Sequence, residues 1–542
     1  MSITTRFGSL RAFALALLAT MSATALAGCA AEQEPSAAEA EDSFGTDQII
    51  GANSVGKRVA VQGHVLVPVN SSQDTITAAV RSQMRVLFGA ARSIDIGLSE
   101  RQPIINTASF IRETVTVIDS ANPSATPRTM WRVSFTYRAR AVVPRAIADQ
   151  GRVSSATLFR NDYARYASDI IRDCQPSDTQ MLGAGTIWYH FDPGLSACSA
   201  AIQSEVDRIA SDRRQLTDAD HQITVSETQR RFIPVVMDLS PLESNENAYP
   251  EYDRLFADNR FVGYSFFGLD KADDPWDYGA RNYFGYLRAM MTGQSGLHVT
   301  NVSGGANLLN VSWRGVAVTG VTYERVFQWV LEGRNYPTNV ASADVNAFRL
   351  QVLRQWRDHY VTLGMTSRLT MNGTTRDASI EIRTYYGDEE GPAATAAVRR
   401  YRTAFADADV FQYTGHSHLG AGPLDPANFR STDFPNRYQI AMVNSCVSFN
   451  YYNQFFRMHP GGTANLDTIT NGIEVYLEGA GLSSARFMLS MIDGHFANYV
   501  DILESMRLDL PWVSSYDPNR VADGELDNHF DPSTTPLALV NP

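Results

Sequence analysis

Between residues 379 and 446 the hydropathy pattern switches period twice, and this restricts the fold more than any other feature of the chain. Ser379 to Tyr386 reads as a strand. Pro392 stands where a helix would begin, a favoured place for it. Ala394, Ala397, Val398, Tyr401, Ala404 and Phe405 then share one helical face, with Arg399, Arg400 and Arg402 mostly off it. Val410 to Tyr413 is the next strand. This is one βαβ unit, with parallel strands and a right-handed connection expected. About twenty loop residues rich in Gly, Pro, Asp and Asn follow, then Tyr438 to Val443 reads as a further strand.

Each of the last two strands runs into a residue with chemistry. Tyr413-Thr414-Gly415-His416-Ser417-His418 follows one, and Val443-Asn444-Ser445-Cys446 ends the other. Gly415 lets the chain turn sharply. Catalytic and ligand groups of open α/β sheets collect at the carboxyl ends of strands. If these two strands are parallel neighbours, His416 and Cys446 share one rim. A thiol needs such a base or cationic neighbour to become a nucleophile.

Cysteine accounting isolates Cys446. The chain has four cysteines. Its start is basic at Arg6 and Arg11, followed by an apolar run from Ala12 to Ala25. That is the pattern of a secretory signal, and the run is short for a membrane span. Leu26-Ala27-Gly28-Cys29 resembles the bacterial lipobox. The resemblance implies a signal peptide over 1–28, lipid on Cys29 and an exported, lipid-anchored envelope protein. Ala30 in place of Asp resembles an outer-membrane address. Residues 29–47 are an acidic, flexible tether. Export implies an oxidising compartment, and Cys174 and Cys198 lie close enough in sequence to be the economical disulfide. Cys446 is then the remaining thiol.

The mature chain is too long for one ordinary core. Residues 48–225 read as an α+β domain. Its expected elements are strands at 58–69, 113–118 and 131–143 and helices at 75–91 and 159–172. The aromatic segment with Trp188 and Tyr189 is expected to be a structural loop stapled through Cys198. A polar stretch at 211–231 marks the boundary. Residues 226–542 alternate strand and helix, which indicates an α/β sheet with helices on its faces. Strands are expected at 232–239, 261–269, 368–371 and 379–386, and helices at 277–291, 322–331 and 343–363; Leu308 to Val318 reads as one long or two short strands.

The His416 and Cys446 segments resemble those of caspase-like cysteine peptidases, the gingipain type most. That family has a strand ending in Gly-His-Gly, then a strand ending in a small residue and Cys. Asn471 to Gly481 is similar to the family's helix leading into a Gly-Ala-containing strand. The resemblance spans about residues 370–500. It implies a caspase-like, mostly parallel sheet with helices on both faces. It implies Cys446 as nucleophile, His416 as general acid, and backbone N–H groups of Ser417 and Cys446 as the oxyanion hole. The substrate would be a protein or peptide, with no cofactor and no metal. Ser417 replaces the family's second glycine.

Besides a structural histidine and a buried cysteine in an unrelated α/β protein, three other readings compete. One is the same fold without activity, as a binding or adhesion lipoprotein. Another is a metal site of His416 and His418 completed by Cys446, Asp425 or His459. A third is a papain-like order, Cys446 before His459 or His495, although that family places its cysteine at a helix start. His495 reads as a helix-start or surface residue, and Tyr451, Tyr452, Phe455 and Phe456 as core. Asp425, Asp433 and Asp467 are expected in loops near the rim. The net charge of −12 and the absence of basic runs exclude a nucleic-acid binder. Contact with a membrane is expected through the N-terminal lipid only.

Overall fold

The computed structural model describes residues 49–540, apart from 100–104, 120–125, 161–162, 178, 220–226, 243–244, 293–298, 300, 305–306, 453–454, 512 and 525–526. The signal segment, Cys29 and the tether lie outside the described residues. The chain divides into two units. Residues 57–241 form one, and residues 49–56 with 242–540 form the other.

The first unit is built on antiparallel strands. Ile111–Ile118 pairs with Arg128–Pro144, and Arg152–Leu158 with Phe232–Pro241. Phe232–Pro241 also pairs with the strand that begins at Ser54. It therefore belongs here, and the division falls at 241/242 rather than 225/226. Its pattern explains this: Ile233, Val235 and Met237 are buried while Pro234 and Val236 are exposed, the alternation of a strand with one wet face. Helix Gln73–Arg92 is capped by Ser72, whose Oγ accepts the Thr75 N–H at 3.2 Å. Cys174 and Cys198 form a disulfide inside a cluster with Val86, Ile170, Ile187 and Phe191. Trp188 and Tyr189 pack on Phe88. The helix expected at 159–172 starts only at Ala167, after a short 3-10 turn. The polar boundary stretch is in part helix Ser196–Ala219.

The second unit is a mixed α/β layer structure. Its strands are β1 (Arg260–Gly268), β2 (Thr374–Gly387), β3 (Val410–Thr414), β4 (Gln439–Asn444), β5 (Leu466–Asn471) and β6 (Arg520–Asp523). They lie in the order β2-β1-β3-β4-β5-β6. The pairings from β2 to β5 are parallel and β6 is antiparallel to β5. Tyr360–Met371 runs antiparallel along β2, and Ile49–Gly51 antiparallel along β6.

Helices cover both faces: α1 (Tyr278–Thr292), α2 (Ala394–Asp407) and α3 (Ala480–Ile492). Successive residues of β1 serve opposite faces, as the strand period requires. Phe267 meets Tyr283 and Tyr286 of α1, while Phe266 meets Tyr401 of α2. Gly263 of β1 lies against Met488 of α3. All of β3 and β4 is buried, so these strands carry continuous buried runs rather than alternation.

Two expectations are corrected. The helix read at 343–363 ends at Trp356, and a strand begins at Tyr360. Asp358, at φ 66°, breaks the helix, and Val361, Leu363 and Met365 then alternate inward. Gly479-Ala480-Gly481 opens helix α3, and the stretch before it is not helical. Gly481 is required there because a Cβ would stand 2.0 Å from the Asn282 carbonyl oxygen of α1. The segment at 308–318 is a short hairpin, Ser312–Trp313 with Val316–Ala317.

Candidate active site

Strand order reverses between β1 and β3: the chain goes one way to β2 and the other way to β3. Such switch points leave a crevice at the carboxyl edge. Asp270 lies two residues past β1, His416 two past β3 and Cys446 two past β4. Phe267, Thr414 and Asn444 are level across these strands. Neighbouring strands are about 4.8 Å apart, so three side chains with complementary chemistry follow adjacent strand ends.

Asp270 is the residue that sequence reasoning missed. Its Oδ1 lies 2.8 Å from His416 Nε2, and its side chain is 6% exposed. Asp277 holds the loop in place. Its carboxylate accepts the N–H groups of Asp270 at 2.9 Å, Lys271 at 2.5 Å and Ala280 at 2.7 Å, the last within the first turn of α1. Burial pushes the Asp277 carboxyl up to about 6 despite these donors. The sequence signal available was an acidic residue just past an apolar strand, in Asp270-Lys271-Ala272-Asp273-Asp274.

Around His416 the backbone is tightly held. Tyr413 folds back so that its hydroxyl donates to Glu389 Oε2 at 2.6 Å and lies 2.9 Å from the His416 carbonyl oxygen. A Cβ on Gly415 would stand 2.4 Å from that hydroxyl, which is why glycine precedes the histidine. Burial pulls the His416 imidazole toward neutrality. The Asp270 hydrogen bond and charge, backed by Glu390 and Glu389, outweigh it and raise its pKa above the ordinary 6.5. Ser417 sits at φ −78° and ψ −12°, ordinary for any residue. The left-handed angles fall instead on His418 (φ 49°) and Leu419 (φ 51°). Serine in place of glycine is thus free of backbone strain.

Cys446 is partly exposed and unbridged. Its Sγ lies 3.9 Å from the Val475 carbonyl oxygen, in the segment after β5. Val447 follows at φ 52°, a genuine outlier for a β-branched residue. Ser448 fixes that turn: its Oγ donates to the Val443 carbonyl at 2.7 Å and accepts the Asn471 N–H at 2.8 Å. Asn444 anchors the strand end. Its Oδ1 accepts from Asn471 at 3.1 Å and from buried Arg520 at 3.2 Å, and its Nδ2 donates to Ser484 of α3 at 3.2 Å. Tyr452 joins the two loops by donating to the Ser417 carbonyl at 2.7 Å. Strained angles such as those at Val447, His418 and Leu419 persist only where surroundings over-determine them, and they cluster at functional sites.

Other candidates are dispersed. His418 lies 3.9 Å from Glu389 and 4.0 Å from Glu390. Asp425 caps its own turn through the Ala427 N–H, and Asp433 caps the Arg430 N–H. Among the described residues no three His, Cys, Asp or Glu side chains are grouped to hold a metal ion. His459 bonds Gln439, the first residue of β4, so it lies at the end of the sheet opposite Cys446. His495 is 80% exposed and precedes helix Tyr499–Ser505, which Asn498 caps. Neither completes a papain-like pair. Asp467 is no rim residue: it is the second residue of β5, fully buried at the amino end. Tyr451, Tyr452, Phe455 and Phe456 are buried, with Phe455 packed on Phe405 of α2.

No family model, curated protein or solved structure matches this chain.

Proposed function

We propose that this chain is an exported, lipid-anchored cysteine peptidase of caspase-like architecture. One observation carries the reading: Thr414 and Asn444 are level in parallel strands, and His416 and Cys446 each follow by two residues. The Asp270–His416 hydrogen bond adds the orienting group that an imidazole needs.

The chemistry follows from these roles. The Cys446 thiolate attacks the scissile carbonyl carbon, and the carbonyl electron pair moves onto oxygen. Backbone N–H groups of Ser417 and Cys446 are assigned to that oxyanion. His416, whose imidazolium form Asp270 favours, gives its proton to the leaving amine as the C–N bond breaks. Water then attacks the thioester, losing its proton to His416, and the acid product leaves with Cys446 restored as thiolate. Lipid on Cys29 would tether this unit to the envelope.

Iodoacetamide treatment of the folded protein should alkylate Cys446 and abolish peptide hydrolysis. Hydrolysis that survives Cys446→Ala removes the mechanism. A folded wild-type protein that cleaves no peptide favours a binding lipoprotein with the same architecture. Radioactive palmitate incorporation, lost on Cys29→Ala, tests the anchor.

A further inference from the structure

The first half of α1, the first turn of α3, the segment between β5 and α3, and Leu331 line an open pocket of about 120 Å³ at the carboxyl edge. Arg281, Gly285, Leu331, Leu477, Glu478 and Leu482 line it. The lining is mainly apolar, and the one Arg and one Glu offset each other. Leu482 is 41% exposed, an apolar side chain left facing water at this site. The volume is somewhat below the ~150 Å³ cavity that takes up benzene. A branched aliphatic side chain suits it better than an indole.

Continuity with the thiol says what enters. The Val475 carbonyl lies 3.9 Å from Cys446 Sγ, and Leu477, two residues on, lines the pocket. Two residues span at most about 7 Å. The pocket wall at Leu477 therefore begins no more than roughly 13 Å from Cys446 Sγ, a span that a side chain one or two residues from the scissile bond covers.

Gly285 is the second observation. It stands within α1, where glycine costs stability relative to alanine. Its φ is not positive. Among the described residues, apart from its chain neighbours and the backbone of its own helix, no atom lies within 4 Å of where its Cβ would be. Its helix-mate Gly279 is different: there a Cβ would stand 2.0 Å from the Gly268 carbonyl oxygen. Packing demands glycine at 279 and does not at 285. What glycine at 285 preserves is open space in the pocket.

We propose that this pocket receives a branched aliphatic side chain of the peptide substrate, and that Gly285 sets the size it accepts. The proposal rests on the peptidase reading and specifies its substrate class. Peptides differing only by Leu or Ala, varied at each position beside the scissile bond, test it with the full chain. At one position wild type should prefer Leu at least about tenfold, the low end for apolar pockets. Gly285→Leu should bring that ratio to about one, with a Tm no lower than wild type; Gly285→Ala should be intermediate. A Leu/Ala ratio unchanged in Gly285→Leu overturns the proposal. Calorimetric titration of N-acetyl-leucinamide into Cys446→Ala protein separates the two readings. Binding that Gly285→Leu abolishes, without any peptide cleavage by wild type, upholds the pocket and rejects the peptidase. Cleavage without Leu preference rejects the pocket alone. Neither cleavage nor binding rejects both.

Discussion

Asp270 Oδ1 and His416 Nε2 are 2.8 Å apart although 146 residues separate them in sequence. They meet because β1 and β3 are parallel neighbours at the switch point, and each chain turns over the same edge. The contact assigns Nε2 to Asp270 and leaves Nδ1 as the ring nitrogen for the proposed proton transfer. Asp270→Asn should keep the fold and lower kcat/KM at least about a hundredfold, the lower end of general acid–base contributions. The pH–rate limb that reports His416 should move to lower pH, because the group raising its pKa is gone.

The same pair makes stability depend on pH. A histidine whose folded pKa exceeds 6.5 contributes stability fully present below that value and lost as pH rises through the folded value. Urea midpoints should therefore fall for wild type above pH 6.5. In His416→Gln this part of the fall should disappear. An identical pH profile in that variant contradicts the ion-pair account.

Asp467 should add a second pH dependence on the acid side of the same profile. It is fully buried, with Oδ2 accepting from Asn528 at 2.7 Å, Tyr438 at 2.5 Å and Tyr499. Burial nevertheless raises its carboxyl from 3.8 to about 7. A carboxyl raised by folding costs stability as pH climbs from its unfolded to its folded value. At about 1.36 kcal/mol per pH unit the loss is roughly 3 kcal/mol between pH 4 and 7. Asp467→Asn should flatten this interval. Denaturation curves at pH 4, 5.5 and 7 measure it.

Tyr452→Phe removes the hydroxyl that joins the cysteine loop to the Ser417 carbonyl. The stability loss should be about 1 kcal/mol, the net value of one hydrogen bond. The Gly420 N–H still satisfies that carbonyl at 2.7 Å. The kcat should fall more than this loss implies, with KM little changed, because His416 and Cys446 are then less firmly placed relative to each other.

Replacing Cys174 and Cys198 together by alanine should destabilise the first unit by roughly 3 kcal/mol, from the freed loop of 24-residue separation and the lost packing. Thermal unfolding with and without the bridge checks it. A Tm unchanged by reduction would show that the local cluster alone holds this region.

Sequence alone determined the elements whose signal is local. The βαβ unit of β2, α2 and β3 was legible because period 2 and period 3.6 alternate cleanly there. His416 and Cys446 were placed at strand ends by apolar runs bounded by turn residues. The Cys174–Cys198 bridge followed from cysteine arithmetic. What was illegible depended on partners distant in sequence. Phe232–Pro241 reads the same in either unit until its pairing with Arg152–Leu158 is known. Asp467 is an acid in a polar-looking stretch, and only the fold buries it. Asp270 meets His416 only because strand order brings β1 beside β3. Gly285 is one of 37 glycines until the space beside it is seen. Hydropathy period sets which segments form strands and helices. Which strand lies beside which is decided by tertiary packing, and the candidate site is a property of that adjacency.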